Sequence, residues 1–433
     1  MSKKLAIKGG EKLRKTPFPA YKVIGKEEEE AVLKVMRSGV LSKYLGVHHD
    51  DFYGGPEVQA LEKEWAEHFN VKHAISVNSA TSGLYCAVGA TGINPGEEVI
   101  VSPYTMAASA TAPIIYNGVP VFADIEREYY CLDPKSIEEK ITDKTKAIIV
   151  VDIFGQPYDV EGINKIAKKH NLIVIEDTAQ APGAKYKDKY AGTLGDIGVF
   201  SLNYHKHIHS GEGGIIVTDD DDLAQRMRLI RNHAECVVEN MEFHTLTNMI
   251  GFNFRMTEIE ATIVRQQLKK LDKLIKERQE NVDYLEKQLE NIPCIQNPKV
   301  REGAKHAYYV HALKFSEEIA GVSREVFIDA VKAELTPIEL REAEGVKVSC
   351  GYVKPLYLLP MYQKQIAYGN TGYPFSESNQ GSYSKGLCPV CEEMHYKEVV
   401  IHELMRPGMS KEDIDDVAKA FQKVWDNIEE LKG

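Results

Sequence analysis

The chain has 433 residues, 43% of them hydrophobic and 27% charged, a balance that suits a globular protein of two domains. A formal charge of −11 excludes the broad basic face that nucleic acid requires, so an anionic substrate would need a local basic patch. No apolar run approaches the roughly eighteen residues of a membrane span, the first residues lack a secretory apolar core, and the seven cysteines are scattered; a cytoplasmic protein with reduced thiols is expected.

Residues 1–25 read as an extended arm, because Gly9-Gly10, Pro17 and Pro19 break any helix, and such an arm is expected to pack on a partner subunit. A helical pattern from Lys26 to Met36 and a turn at Gly54-Gly55-Pro56 precede a second helix with Val58, Leu61, Trp65 and Phe69 on one side. The strand Ala74–Val77 then runs into Asn78-Ser79-Ala80-Thr81-Ser82-Gly83, a polar turn that opens a small-residue helix. Free amides and hydroxyls at such a helix start can hold a phosphate, although Ser79 or Thr81 could equally serve as an ordinary cap.

From Val99 to Ile175, β-branched runs alternate with helical segments, the pattern of a mostly parallel sheet buried on both faces. Active sites of such sheets lie beyond the carboxyl ends of the strands, where Asp177 follows the last run. A carboxylate there either caps the next helix or holds a proton on a heteroaromatic nitrogen.

The stretch Ser201–Gly214 joins two further apolar runs, and its lysine, Lys206, sits on a short connector closed by glycines. A lone loop lysine is ordinarily solvated. One held partly out of water can instead lose its proton and attack an aldehyde to form a Schiff base. Residues 257–292 carry apolar side chains at spacings of three, four and seven, which predicts one long helix leading into a smaller domain. Cys388 and Cys391 form a lone CxxC without further ligands at metal spacing, and no metal is expected.

Together these stretches resemble the DegT/DnrJ family of pyridoxal-phosphate-dependent sugar aminotransferases, most clearly from about residue 30 to 290. The family's Ser, four residues, Lys, four residues, Gly-Glu-Gly-Gly pattern matches Ser201, Lys206 and Gly211–Gly214, which implies that Lys206 is the Schiff-base lysine. Its Glu-Asp-x-Ala-Gln matches Glu176–Gln180; by resemblance Asp177 pairs with the pyridine nitrogen and Gln180 lies near the ring. The phosphate turn corresponds to Ser79-Ala80-Thr81, with Ala80 in place of the usual glycine. Met106 stands where the family places an aromatic that stacks on the ring, and Gly251–Met256 matches a motif whose Asn253 would reach the neighbouring subunit's phosphate.

The resemblance implies an α/β, aspartate-aminotransferase-like fold with the arm 1–25, a large cofactor-binding domain 26–270 and a small α+β domain 271–433. It also implies pyridoxal 5′-phosphate as cofactor, a homodimer, glutamate or glutamine as amino donor, and a keto-sugar, nucleotide-linked or not, or a keto-cyclitol as acceptor. Dehydratases of the same fold carry His at the lysine position. His205 and His207 flank that position, but the spacing puts Lys206 in register. A dehydratase or epimerase, or a binding protein without catalysis, are the other readings.

Overall fold

The computed structural model describes residues 4–241, 243, 245–378 and 383–432. Seven strands form the main sheet: β1 (His73–Val77), β2 (Glu98–Val101), β3 (Val119–Phe122), β4 (Thr145–Val151), β5 (Ile173–Asp177), β6 (Ile197–Ser201) and β7 (Gly214–Thr218), in the order β1-β7-β6-β5-β4-β2-β3. Pairs β6–β5, β5–β4, β4–β2 and β2–β3 are parallel, and β7 runs antiparallel to both of its neighbours. Every residue of β2, β3, β6 and β7 is buried, which is why these strands are apolar runs instead of alternating, apart from Glu98, Ser201 and Thr218 at strand ends. The helix Pro56–Phe69 buries the anticipated Val58, Leu61, Trp65 and Phe69 in the same core.

A second core surrounds β8 (Ile295–Gln296), β9 (His311–Phe315), β10 (Val348–Cys350) and β11 (Val399–His402), an antiparallel sheet in the order β8-β9-β11-β10. Leu285, Leu289, Phe315, Phe327, Val400 and Phe421 fill it. The arm, expected on a partner, lies here on its own chain. Leu5 and Phe18 are fully buried in this core, Phe18 bridges Ile338, and Arg14 pairs with Asp413 at 2.8 Å and Asp416 at 2.9 Å.

The predicted single helix over 257–292 is two helices, Glu258–Leu268 and Leu271–Leu289. At the break, Gln267 Nε2 donates to the Val23 carbonyl (2.9 Å) and to Glu28 (2.8 Å), and Lys270 Nζ donates to the same two groups (3.0 and 2.8 Å). These contacts tie the joint to the end of the arm and the helix that follows it, while the second helix packs against Lys411–Asp426 of the small domain. The apolar period runs through the joint because both halves bury a face, each against a different domain.

The domains also meet where Tyr309 N–H donates to the Phe154 carbonyl (2.7 Å) and Ala307 N–H to the Gly155 carbonyl (2.8 Å). Phe154 and Tyr308 adopt left-handed conformations, φ 61° and 49°, and Gly155 has φ 107°. A Cβ on Gly155 would lie 2.6 Å from the Tyr308 nitrogen, so only glycine permits this approach. Elsewhere in the interface region, buried Cys388 and Cys391 flank a helix start whose Val390 and Cys391 amides each donate to Asp124 at 2.9 Å. Among the described residues no group of three or more His, Cys, Asp or Glu could hold a metal, and no helix is long and apolar enough to cross a membrane.

Candidate active site

Asp177 ends β5 with its carboxylate buried. Oδ2 accepts from Ser109 Oγ at 2.7 Å and Oδ1 from the Ala179 amide at 3.2 Å. Burial raises its pKa, while the Ser109 and Ala179 donors and the nearby Lys206 charge oppose that rise. The carboxylate is thus held by fixed donors beyond the strand and caps no helix.

Lys206 lies on the connector from β6 to β7, and that connector is braced along its length. Leu202 N–H donates to Gly213 (2.9 Å), Tyr204 to Gly211 (2.9 Å), Lys206 to Asn203 (2.9 Å) and Ser210 to Leu202 (3.1 Å). The lysine is only 9% exposed, and its Nζ stands 4.4 Å from the centre of the Tyr309 ring. A long polar segment therefore presents one rigidly mounted amine. Gln180 is equally fixed, its Oε1 accepting from Phe154 N–H (2.8 Å) and its Nε2 donating to the Tyr352 hydroxyl (3.1 Å).

The turn Ser79-Ala80-Thr81 sits at the same end of the sheet. Ser79 caps the helix Ala80–Ala90 by accepting from Ser82 N–H at 3.0 Å, and the amides of Ala80 and Thr81 donate to no group among the described residues. Ser201, Gly214 and Val77 lie side by side at the ends of β6, β7 and β1. A Cβ on Gly214 would stand 2.6–2.8 Å from the Ser79 and Ala80 backbone, so the turn rests on bare glycine.

Thr81, Met106 and Asn253 are exposed, Met106 to 56%. The Phe254 carbonyl accepts from Asn78 N–H at 2.9 Å, which runs the Gly251–Met256 segment beside the turn of its own chain and leaves the Asn253 side chain at the surface.

Several contributors have no counterpart in the sequence reading. Ser109 resembles any serine in an alanine-rich helix. Tyr309, Tyr352, Arg278 and Arg406 come from the small domain or its approach, over seventy residues from Lys206, and no spacing links them to it. Arg278 and Arg406 are buried with Nε unpartnered and with guanidinium groups 5.6 Å from the Tyr21 ring. Burial and the neighbouring Arg278 and Arg341 charges bring Arg406 down to about 9. Glu403 pairs with Arg341 (2.8 Å), Lys347 (3.4 Å) and Arg406, whereas Arg278 has no carboxylate within ion-pair distance among the described residues. Glu344 also pairs with Arg341 (2.7 Å) and Lys347 (2.8 Å), and the two carboxylates leave the acidic chain with a local excess of positive charge here.

Of the three histidines on the Ser201–Gly214 connector, His207 is buried with Nε2 3.0 Å from the Ala307 carbonyl and is kept neutral by burial. His205 lies beside Arg341 and is lowered to about 4 by burial and that charge, and His209 is lowered by burial. Behind Asp177, buried Asp152 and Glu176 face each other. Glu176 Oε1 has no hydrogen-bond partner among the described residues, and burial with the Glu176 charge pushes Asp152 well above the ordinary carboxylate value.

Fold and site define a pyridoxal-phosphate-dependent aminotransferase of the aspartate-aminotransferase type. The chain belongs to the DegT/DnrJ/EryC1/StrS aminotransferase family, whose model matches residues 23–422. It is 33% identical over 408 residues to the spore coat polysaccharide biosynthesis protein SpsC of Bacillus subtilis, covering 93% of this chain and 95% of that one. It is 31% identical over 429 residues to L-glutamine:2-deoxy-scyllo-inosose aminotransferase of Streptomyces fradiae, covering 97% of each. Among solved structures, the aminotransferase from Psychrobacter cryohalolentis superposes with a TM-score of 0.80 at 28% identity, over 95% of this chain and 100% of that one. The residues present fit the cofactor: a nearly buried amine, a buried carboxylate beyond the strand ends, and a helix start with two free amides seated on glycine.

Proposed function

We propose that this aminotransferase moves an amino group from glutamate or glutamine to the carbonyl carbon of a keto-sugar, with nucleotide-linked sugars foremost, or of a keto-cyclitol, in amino-sugar biosynthesis. The observation that carries the reading is the Lys206 amine, 9% exposed on a connector braced by its own backbone, with buried Asp177 at the carboxyl edge of the same sheet. Pyridoxal phosphate, when bound, supplies an aldehyde that condenses with amines and a ring that accepts electrons.

Lys206 holds the cofactor covalently and, once released, moves a proton on Nζ between the reacting carbons, work typically worth about 10²–10⁴-fold. Asp177, steadied by Ser109, keeps a proton on the pyridine nitrogen. The Ala80 and Thr81 amides bind phosphate with the Ser79, Thr81 and Ser201 hydroxyls, Gln180 lies at the ring, and Met106 covers its face. Asn253 completes the phosphate site of a second copy of the chain. The exposed apolar residues Val40, Leu41, Leu45, Val47 and Ile250 support that dimer, since hydrogen bonds tie the loop holding Leu41 and Leu45 to Glu258 and Asn232 on either side of Asn253.

The basic patch of Arg278, Arg341 and Arg406 supports a donor with carboxylates, and the seven unpaired cysteines support a reducing cytoplasm. Borohydride reduction and peptide mapping should put the cofactor on Lys206 alone, and Lys206→Ala should keep its fold while losing visible absorbance and turnover. Cofactor on another residue, or normal turnover in that variant, overturns the reading; product formed without any amino donor marks a dehydratase or epimerase instead.

A further inference from the structure

Lys206 Nζ makes no hydrogen bond and no ion pair among the described residues, although the side chain is 9% exposed. An ammonium so far out of water is costly unless something faces it. What faces it is the Tyr309 ring, at 4.4 Å from its centre.

The backbone that carries this ring is firmly held. Tyr309 N–H donates to the Phe154 carbonyl at 2.7 Å, and the Tyr309 and Tyr308 carbonyls accept from Arg278 Nη1 at 3.2 and 2.9 Å. The preceding Tyr308 and the facing Phe154 both adopt the left-handed conformation, φ 49° and 61°, which non-glycine residues rarely do. Strained backbone on both sides of the domain junction thus fixes one aromatic face against one amine.

We propose that Tyr309 is a positioning residue for Lys206, its ring face receiving the ammonium whenever the amine is off the cofactor and carries the transferred proton. This rests on Lys206 being the reacting amine. In the proton step, the C–H bond of the donor carbon breaks and an N–H bond forms on Nζ. The electron pair stays with the carbon and is drawn toward the ring backed by Asp177. The face stabilises Nζ in its charged form and so speeds the transfer.

The test replaces Tyr309 in the full-length protein by phenylalanine and by its mono-, di- and pentafluoro derivatives, which withdraw electron density from the ring face at nearly constant size. With glutamate as donor, the rate of cofactor amination in single turnover should match wild type within about twofold for Tyr309→Phe. It should fall about 2- to 30-fold across the fluorinated series, with donor KM and melting temperature unchanged. In cofactor-free full-length protein at fixed pH, trinitrobenzenesulfonate should label Lys206 faster along the same series, because the ring face holds the amine less tightly. Amination and labelling rates that ignore ring electron density overturn the proposal, as does a Tyr309→Leu variant with wild-type rates in both assays. If wild type takes no cofactor on Lys206, the functional reading fails by itself, and the labelling series alone decides on the ring contact.

Discussion

At Asp177 burial pushes the carboxyl pKa up, and the hydrogen bond from Ser109 works against that rise. Ser109→Ala removes one donor, which lets the carboxyl take up a proton more readily. The acid limb of the kcat profile should therefore move to higher pH, and kcat near neutrality should fall about 3- to 10-fold. A profile that superposes on wild type would show the hydroxyl to be idle. His306 offers a second test. It is buried, its Nδ1 accepts from Tyr308 N–H at 2.8 Å, and burial with the His311 charge brings it down to about 3. The folded protein holds it neutral while the unfolded chain protonates near the ordinary histidine value, so its share of stability is full above that value and is lost as pH falls toward 3. His306→Asn keeps an acceptor but does not titrate. The stability difference between wild type and variant, from urea unfolding, should shift by about 2 kcal/mol in the variant's favour between pH 7 and pH 5.

The helix start at Ser79 and the strand β7, which the proposed phosphate site joins, depend on each other across the sheet. The helix start Ser79–Ala80 rests on β7 at Gly214, where a methyl group would stand 2.6 Å from the Ser79 carbonyl carbon. Gly214→Ala must displace the backbone, since no flexible side chain is there to yield. Cofactor affinity should fall at least about tenfold with far-UV circular dichroism intact, because the shift misaligns the free amides by tenths of an ångström. Unaltered affinity by equilibrium dialysis would mean that the turn does not hold the phosphate. The pattern Gly-Glu-Gly-Gly was legible in the sequence, but the reason for its last glycine was not, because Ser79 comes from more than a hundred residues upstream. Likewise the apolar period from 257 to 292 is continuous in the sequence. The division into two helices comes from Gln267 and Lys270 anchoring to Val23 and Glu28, partners that local periodicity does not contain.

Across the whole molecule, Asn253, Met106 and a set of apolar side chains lie open at the surface. If Asn253 serves the neighbouring copy, Lys206→Ala and Asn253→Ala subunits are each defective alone. A heterodimer of the two rebuilds one native site, from the Lys206 of one subunit and the Asn253 of the other. Co-expressed and separated by distinct tags, that heterodimer should regain about half of wild-type activity per dimer. No recovery above the two homodimers would assign Asn253 to its own subunit.

Amino-acid order alone determined the alternation of buried strands and helices and the motifs around Lys206 and Asp177, because these depend on neighbours within a turn or a strand. It also determined the small-residue helix start, where a few adjacent residues suffice. Tertiary structure decided what surrounds that chemistry: Ser109 on the carboxylate, Tyr309 on the amine, Tyr352 on Gln180, and the Arg278–Arg406 patch in an otherwise acidic chain. Tertiary structure also laid the arm on its own small domain. Those contacts join residues tens to hundreds of positions apart, and their energies exist only once the sheet and the small domain have brought the side chains within a few ångströms of one another.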